Sequence, residues 1–297
     1  MRFTKAAETP ENHYNLLISR GLIISDPERF YKYLKNIGYY RLSGYMYPFQ
    51  LSDGSHTFKP GSTFNTVLNH YLFDKKLRLL ILDIIERIEI SLRATITNIL
   101  SLHFEPHWFL SGGYFNNPDW HSKFLQGVKE TIKKSNEDFI KQYALRYSDP
   151  LEPPAWMIME TVTFGEMASL FENLKDTSEK KEIAASFNTL VSILESWLRS
   201  INFVRNACAH HSRLWNRKLP IKPLIPARKS NRFLVNIDDD TNKRLYGILS
   251  CMLYLTKAIS PQTKFSQRIT ELFAEFPEVN KRYMGFPDSW QEEELWK

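Results

Sequence analysis

Between about residues 64 and 103, apolar side chains recur at three- and four-residue steps, with Ile81, Ile85, Ile88, Leu92 and Ile99 along one side. That is the period of a buried helical face, and it predicts one long helix or two nearly collinear ones. On another side of the same stretch Glu86, Glu89 and Arg93 stand three and four residues apart, the spacing at which helical side chains meet. A second run places Phe187, Leu190, Val191, Leu194, Leu198 and Ile201 on one face and predicts a helix ending near residue 210. Shorter patterns predict helices around Asn12 to Arg20, Pro27 to Asn36, His121 to Tyr147 and Lys264 to Phe276. Trp156 to Leu174 reads as helix interrupted near Thr163-Phe164-Gly165, and Asp176 with Glu179 gives a start like a capping box. Asp238-Asp239-Asp240 is placed to cap a helix from Thr241 to Ile259.

The elements between these runs are short. Gly38, Gly44, Pro48 and Gly54 interrupt an aromatic stretch holding Tyr39, Tyr40, Tyr45, Tyr47 and Phe49, with Lys32, Lys35 and Arg41 interleaved; such mixtures can stack bases, but the favoured reading is that tyrosines beside turn glycines pack junctions between elements. Strand content is expected to be minor, confined to the Tyr39 region or to the loop after residue 210. That loop carries Pro220, Pro223 and Pro226 and is expected to be extended rather than helical. The acidic end, Glu292-Glu293-Glu294, is expected to fray. The fold class is therefore mainly α: a helical bundle at 64–276, an N-terminal extension packed on it at 1–63, and a C-terminal tail at 277–297.

At 297 residues the chain buries a full core without cross-links, and its two cysteines, Cys208 and Cys251, make no disulfide framework. With no basic-plus-apolar leader, a reducing cytoplasm is the expected location. Charges such as Arg78 and Asp83 interrupt the richest apolar runs, so no stretch reaches the roughly 18 residues that span a bilayer, and a membrane role is not expected. The net charge of +6 favours a polyanionic partner, and its distribution says more than its sum. From Asn206 to Ile237 there is no Asp or Glu, while Arg213, Arg217, Lys218, Lys222, Arg228, Lys229 and Arg232 all fall in that window. Clustered cations of this kind bind phosphates with little regard to base sequence, so these residues are the candidate RNA contacts, with a solvated loop as the bland alternative.

The chemistry concentrates in Arg205-Asn206-Ala207-Cys208-Ala209-His210-His211. Asn206 and His210 share a helical face, whereas Arg205 and His210, five apart, diverge by roughly 140°. For both to serve one site, either the backbone leaves the helix between them or two copies of the chain meet there. Arg205 offers a planar fork of donors to phosphate, Asn206 can fix the tautomer of an imidazole, and His210 exchanges a proton near neutral pH. Together they supply what RNA cleavage by its own 2′-hydroxyl needs: a base, an acid, and a cation at the crowded phosphorus. The competing reading is that Arg205 and His210 merely complement a helix C-terminus. His103 and His107 are four apart, but Pro106 lies between them and no third ligand stands at a telling distance, so neither a metal nor any other cofactor is expected.

Arg205-Asn206 with His210 at a helix end resembles the active-site motif of the HEPN (higher eukaryotes and prokaryotes nucleotide-binding) superfamily. More narrowly, the chain resembles bacterial Abi-like proteins of the abortive-infection AbiD/AbiF type over nearly its whole length. The matching stretches are Asn36 to Tyr45 with Tyr47-Pro48-Phe49, then Phe73-Asp74-Lys75-Lys76-Leu77-Arg78, then Ile85-Glu86-Arg87-Ile88-Glu89-Ile90 with Leu92-Arg93. Pro154 and Trp156 with Glu160 and Thr163-Phe164-Gly165, the Arg205 motif, and Met284-Gly285-Phe286-Pro287 complete the order.

The resemblance implies a HEPN-like bundle and a cytoplasmic, metal-independent endoribonuclease. This would be the toxin of an antiphage or toxin–antitoxin system, working as a homodimer and leaving a 2′,3′-cyclic phosphate. It puts Arg205 and His210 at the catalytic positions, with Asn206 beside them, His211 as the second choice of imidazole, and Glu86, Glu89 and Arg93 in support. An RNA or protein antitoxin is an implied partner. The alternative is a non-catalytic module that binds RNA or an antitoxin; nucleotide transfer ranks last, because no Gly-Ser with paired aspartates is present.

Overall fold

The computed structural model describes residue 2, residues 6–226, 233–234 and 237–297. The described residues form thirteen α-helices and no strand ladder, so the expectation of a mainly α bundle holds. The isolated bridges Ile23–Thr63, Gln50–Phe58 and Phe115–Leu174 are the remaining extended pairing among them, and none lies in the Tyr39 stretch.

The organising element is α4 (Phe64–His103), a single unbroken helix of 40 residues capped by Thr63, whose hydroxyl accepts from the Thr66 N–H. At 1.5 Å per residue it is about 60 Å long. Phe73, Leu77, Ile81, Ile84, Ile88, Leu92 and Ile96 are buried along it. It packs against α3 (Tyr39–Met46), α7 (Ala155–Ile158), α8 (Phe164–Asn173), α9 (Ser178–Ala185), α10 (Val191–Ala209), α12 (Leu245–Ile259) and α13 (Phe265–Glu275). A helix with partners on so many sides has no wide polar face, so its sequence reads as nearly continuous apolar steps.

Several boundaries differ from the sequence expectation for identifiable reasons. The Tyr39 stretch is helical. Gly38, at φ +87°, turns the chain out of α2 (Pro27–Ile37), and Leu42, Tyr45 and Met46 then bury one face of α3. The expected helix from 121 to 147 is two, α5 (Pro118–Lys134) and α6 (Asp138–Arg146). The helix expected from Thr241 is also two: α11 (Asp239–Asn242), capped by Asp238, ends before α12 begins. A Cβ on Gly247 would stand 2.7 Å from Asn242 Oδ1, so the glycine allows the second helix to start against the first. The N-cap of α9 is Thr177 rather than Asp176.

The acidic tail does not fray. Trp290, Leu295 and Trp296 are buried, Trp296 Nε1 donates to Ser250 Oγ at 3.0 Å, and Lys257 Nζ donates to the Leu295 carbonyl at 2.7 Å. Two buried indoles offer far more apolar area than three surface carboxylates cost. Near the N-terminus, α1 (Pro10–Ser19) and α2 lie close to their expected bounds. Among the described residues no helix is long and apolar enough to cross a membrane.

Candidate functional site

The motif ends α10. The helix runs unbroken through Ala209, and His210 is its C-cap at φ −85° and ψ 8°. His211 takes φ +56°, its N–H donates to the Cys208 carbonyl at 2.9 Å, and the Ser212 N–H donates to the Ala207 carbonyl at 2.8 Å. This pair of bonds is a Schellman stop, the arrangement usually completed by glycine, here with histidine at the left-handed position. Because the helix does not break between them, Arg205 and His210 keep their angular divergence of roughly 140° within one chain.

Arg205 is half-buried, while Asn206, His210 and His211 are exposed. The Arg205 guanidinium donates to Asn206 Oδ1 at 3.4 Å, so the asparagine side chain turns to the arginine rather than to the imidazole. Arg205 also borders a cavity of about 330 Å³ walled by Leu82, Glu86, Glu89, Ile90 and Arg93 of α4. The expected supporting residues are thus brought together with Arg205. Among the described residues, however, no ion pair within 4.0 Å joins Arg205 to either glutamate. Glu89 pairs instead with Arg93 at 3.1 Å, and Arg93 donates to the Val162 carbonyl at 3.0 Å, tying α4 to the turn before α8. His210 and His211 do not line this cavity.

What fixes the turn that carries the histidines is a buried carboxylate to which the sequence reading gave no role. Asp74 is 0% exposed. It accepts the Trp215 N–H at 2.8 Å, the Leu214 N–H at 3.2 Å and the Tyr45 hydroxyl at 2.6 Å, and it pairs with Arg78. Burial pushes its proton affinity up, and Arg78 with the other donors opposes that. A site made only of donors suits the ionised acceptor. Burial and the neighbouring carboxylate hold the Tyr45 hydroxyl well above the phenol range, so it stays a donor.

Arg78 Nη1 lies 3.4 Å from the Ser212 carbonyl, Arg41 of α3 donates to the His211 carbonyl at 2.5 Å, and Arg213 donates to the Gly44 carbonyl at 2.9 Å. Helices α3 and α4 therefore grip the backbone from His211 to Trp215. The signal available in the sequence was an Asp four residues before an Arg on a buried face of α4, between Phe73 and Leu77. Cys208 is no nucleophile: burial, aided by Asp74, pushes its thiol up to about 12.

The loop after the motif has no helix in its described part, as its prolines implied; there it is anchored by buried Leu214, Trp215 and Leu219, while Lys218, Ile221, Lys222 and Leu224 stay exposed. Lys218 pairs with Asp240 at 2.6 Å and Lys222 with Asp239. The acid-free window of sequence is thus partly neutralised in space by the cap of α11. Arg217 stands 5.3 Å over the Phe203 ring. Arg228, Lys229 and Arg232 lie outside the described residues. His103 pairs with Glu182 at 3.2 Å, and no cluster of three potential metal ligands occurs among the described residues.

The family model described as "Abi-like protein" matches residues 32–216, more than half of the chain, from within α2 through the grip on Trp215. No curated protein and no solved structure matches the sequence.

Proposed function

Because the chain belongs to the Abi-like protein family, an abortive-infection type, we propose that it is an endoribonuclease of the HEPN kind, acting without metal as the toxin of an antiphage or toxin–antitoxin system. The observation that carries this reading is the end of α10: an exposed imidazole at the helix stop, one turn beyond a half-buried guanidinium at a cavity mouth. His210 acts as general base or acid on the 2′-hydroxyl or the 5′-leaving oxygen. Arg205 stabilises charge on the phosphorane, and Asn206 holds the guanidinium through the bond between their side chains. The product is a 2′,3′-cyclic phosphate.

The reaction needs a base and an acid, and the divergence of Arg205 from His210 on an unbroken helix supports a homodimer whose two motifs share one cleft. Leu82 and Ile90, which bring apolar surface to the Arg205 cavity, are suited to that contact. His211 is the second imidazole at the stop and the alternative reacting group.

The test is incubation of labelled RNA with wild-type and His210→Ala protein in EDTA, with sequencing of the ends. His210→Ala is expected to lower cleavage by about 10²–10⁴-fold while RNA affinity stays near wild type. Cleavage that survives unchanged rejects His210 as the reacting group. Wild-type protein that binds RNA but never cuts it makes the chain a binding module.

A further inference from the structure

The edge of α4 that lines the Arg205 cavity continues towards the N-terminus of that helix. On a helix turning roughly 100° per residue, Leu72, Lys75, Glu86 and Ile90 lie within about 60° of one another. Lys75 precedes Glu86 by eleven residues, about 16 Å along the axis. Helix α10 runs antiparallel to α4, since Arg205 sits against Leu82 to Arg93 while Leu214 and Trp215 bond Asp74. Moving from Arg205 through His210 to the gripped turn is therefore moving towards Lys75.

At that end α2 and α4 enclose a second cavity, of about 670 Å³. Arg29, Lys32 and Lys75 are exposed on its walls, and the rings of Tyr33 and Tyr71 line it half-buried. Among the described residues none of these three cations has a carboxylate within 4.0 Å, in contrast to Lys218 and Lys222 of the loop. Arg29 instead stands 5.8 Å over the Tyr33 ring. Asp26 and Glu28 also border the cavity, but Asp26 Oδ1 is engaged by the Arg29 N–H at 2.9 Å as the cap of α2. A comparable hollow of about 720 Å³ has the opposite character, with Glu130, Glu137, Glu160 and Glu166 around it. The Tyr71 ring meets Tyr45 edge-on at 5.6 Å, and Tyr45 donates to Asp74, so this cavity wall adjoins the device that fixes the histidine turn.

Unpaired cations beside ring faces are the makings of a single-strand site, where phosphates take the charges and a base takes the ring. We propose that the α2–α4 cavity is an RNA subsite flanking the Arg205–His210 cleft, with Lys32 and Lys75 on backbone phosphates and Tyr33 or Tyr71 against a base. The proposal rests on the reading of the substrate as RNA and adds where the strand is held.

The experiment measures binding of labelled single-stranded RNA to full-length His210→Ala protein between about 50 and about 300 mM salt. The Lys32→Ala/Lys75→Ala pair is placed in the same background, and a Lys129→Ala/Lys134→Ala pair on α5 controls for net charge. Each phosphate contact on a single strand contributes about 0.7 to the logarithmic salt slope. Loss of two is therefore expected to flatten the slope by about 1.4 and to weaken binding about 25-fold near 0.1 M salt. The α5 control is expected to bind as the parent does, and 4-thiouridine cross-links are expected on the peptide holding Tyr33 or Tyr71.

Wild-type affinity and slope in the Lys32/Lys75 variant overturn the subsite, as does failure of both the His210→Ala protein and the wild-type protein to bind RNA. A wild-type protein that binds through these lysines yet does not cleave refutes the catalytic reading alone. One that cleaves, and binds equally well without the lysines, refutes the subsite alone.

Discussion

Replacing Asp74 with asparagine tests whether the buried carboxylate holds the histidine turn. Asparagine keeps the shape but removes the charge and exchanges one acceptor oxygen for a donor. With Oδ1 kept on the Leu214 and Trp215 N–H groups, Nδ2 faces Arg78, donor against donor, and the Tyr45 hydroxyl can meet it only by turning to accept. Arg78, 5% exposed, is left as a buried cation without its counter-ion. Removing one partner of such a pair costs about 3–5 kcal/mol, a large share of the roughly 5–15 kcal/mol that holds a domain folded.

Urea unfolding at neutral pH is the assay, since the buried Trp215 ring beside His70 reports on this turn. Asp74→Asn is expected to lose about 3–4 kcal/mol. Arg78→Met should cost less, because Asp74 keeps three donors. The double variant is expected to be more stable than the sum of the single losses by at least about 1.5 kcal/mol, the coupling that contacting groups in one network show. A loss below about 1 kcal/mol for Asp74→Asn, or additivity within about 0.5 kcal/mol, refutes the reasoning.

Two further outcomes follow from the same end of α10 and the loop after it. His211→Gly relieves a left-handed histidine at φ +56° and should raise stability by about 0.5–1 kcal/mol after the entropy of glycine is counted; thermal unfolding checks the gain, and RNA cleavage retained at the same time assigns the chemistry to His210. The hydrogen bond from Lys222, then that from Lys243, holds Asp239 down to about 2 from its ordinary 3.8. A depressed carboxylate stabilises above its unfolded value and loses that contribution as pH falls through the folded one. The anchoring of the loop should therefore persist at neutral pH and be released between about pH 4 and pH 2. A carboxyl NMR titration of Asp239 checks this, and its midpoint should rise in Lys222→Ala.

The long helix and the motif helix were legible because their apolar periods run for many turns, and a period summed over many residues outweighs local exceptions. Boundaries failed where one tertiary contact decided them. Gly44 read as a helix breaker, yet it lies inside α3, its carbonyl accepts from Arg213, and a Cβ there would stand 3.9 Å from the Arg213 guanidinium. Gly247 read as one position in a continuous helix, yet it marks the close approach of two. The tail failed for a different reason: three glutamates in a row suggest solvent, and only the fold shows that Trp290 and Trp296 on either side have an apolar floor beneath them.

The site divides the same way. Arg205 and His210 were found because their chemistry is local, a reactive pair within two turns of helix. Asp74, Arg78 and Arg41 lay in stretches that matched the family but had no assigned role, because each meets backbone groups more than 130 residues away along the chain, and Tyr45 serves them only through Asp74. A carbonyl or N–H of residue 212 or 215 has no signature in a sequence. Its partner does: a charged pair set into a buried helical face is too costly to keep without several hydrogen bonds, so some other segment must supply them. The segment here is the one that follows the histidines, which is why the N-terminal stretches and the motif form one physical unit although most of α4 and the five helices α5 to α9 separate them in order. On that logic the first 63 residues act as part of the clamp, since Arg41 reaches the turn, and Tyr45 the carboxylate that holds it, only from α3. A chain lacking them should keep the α10 period and lose the geometry of its end.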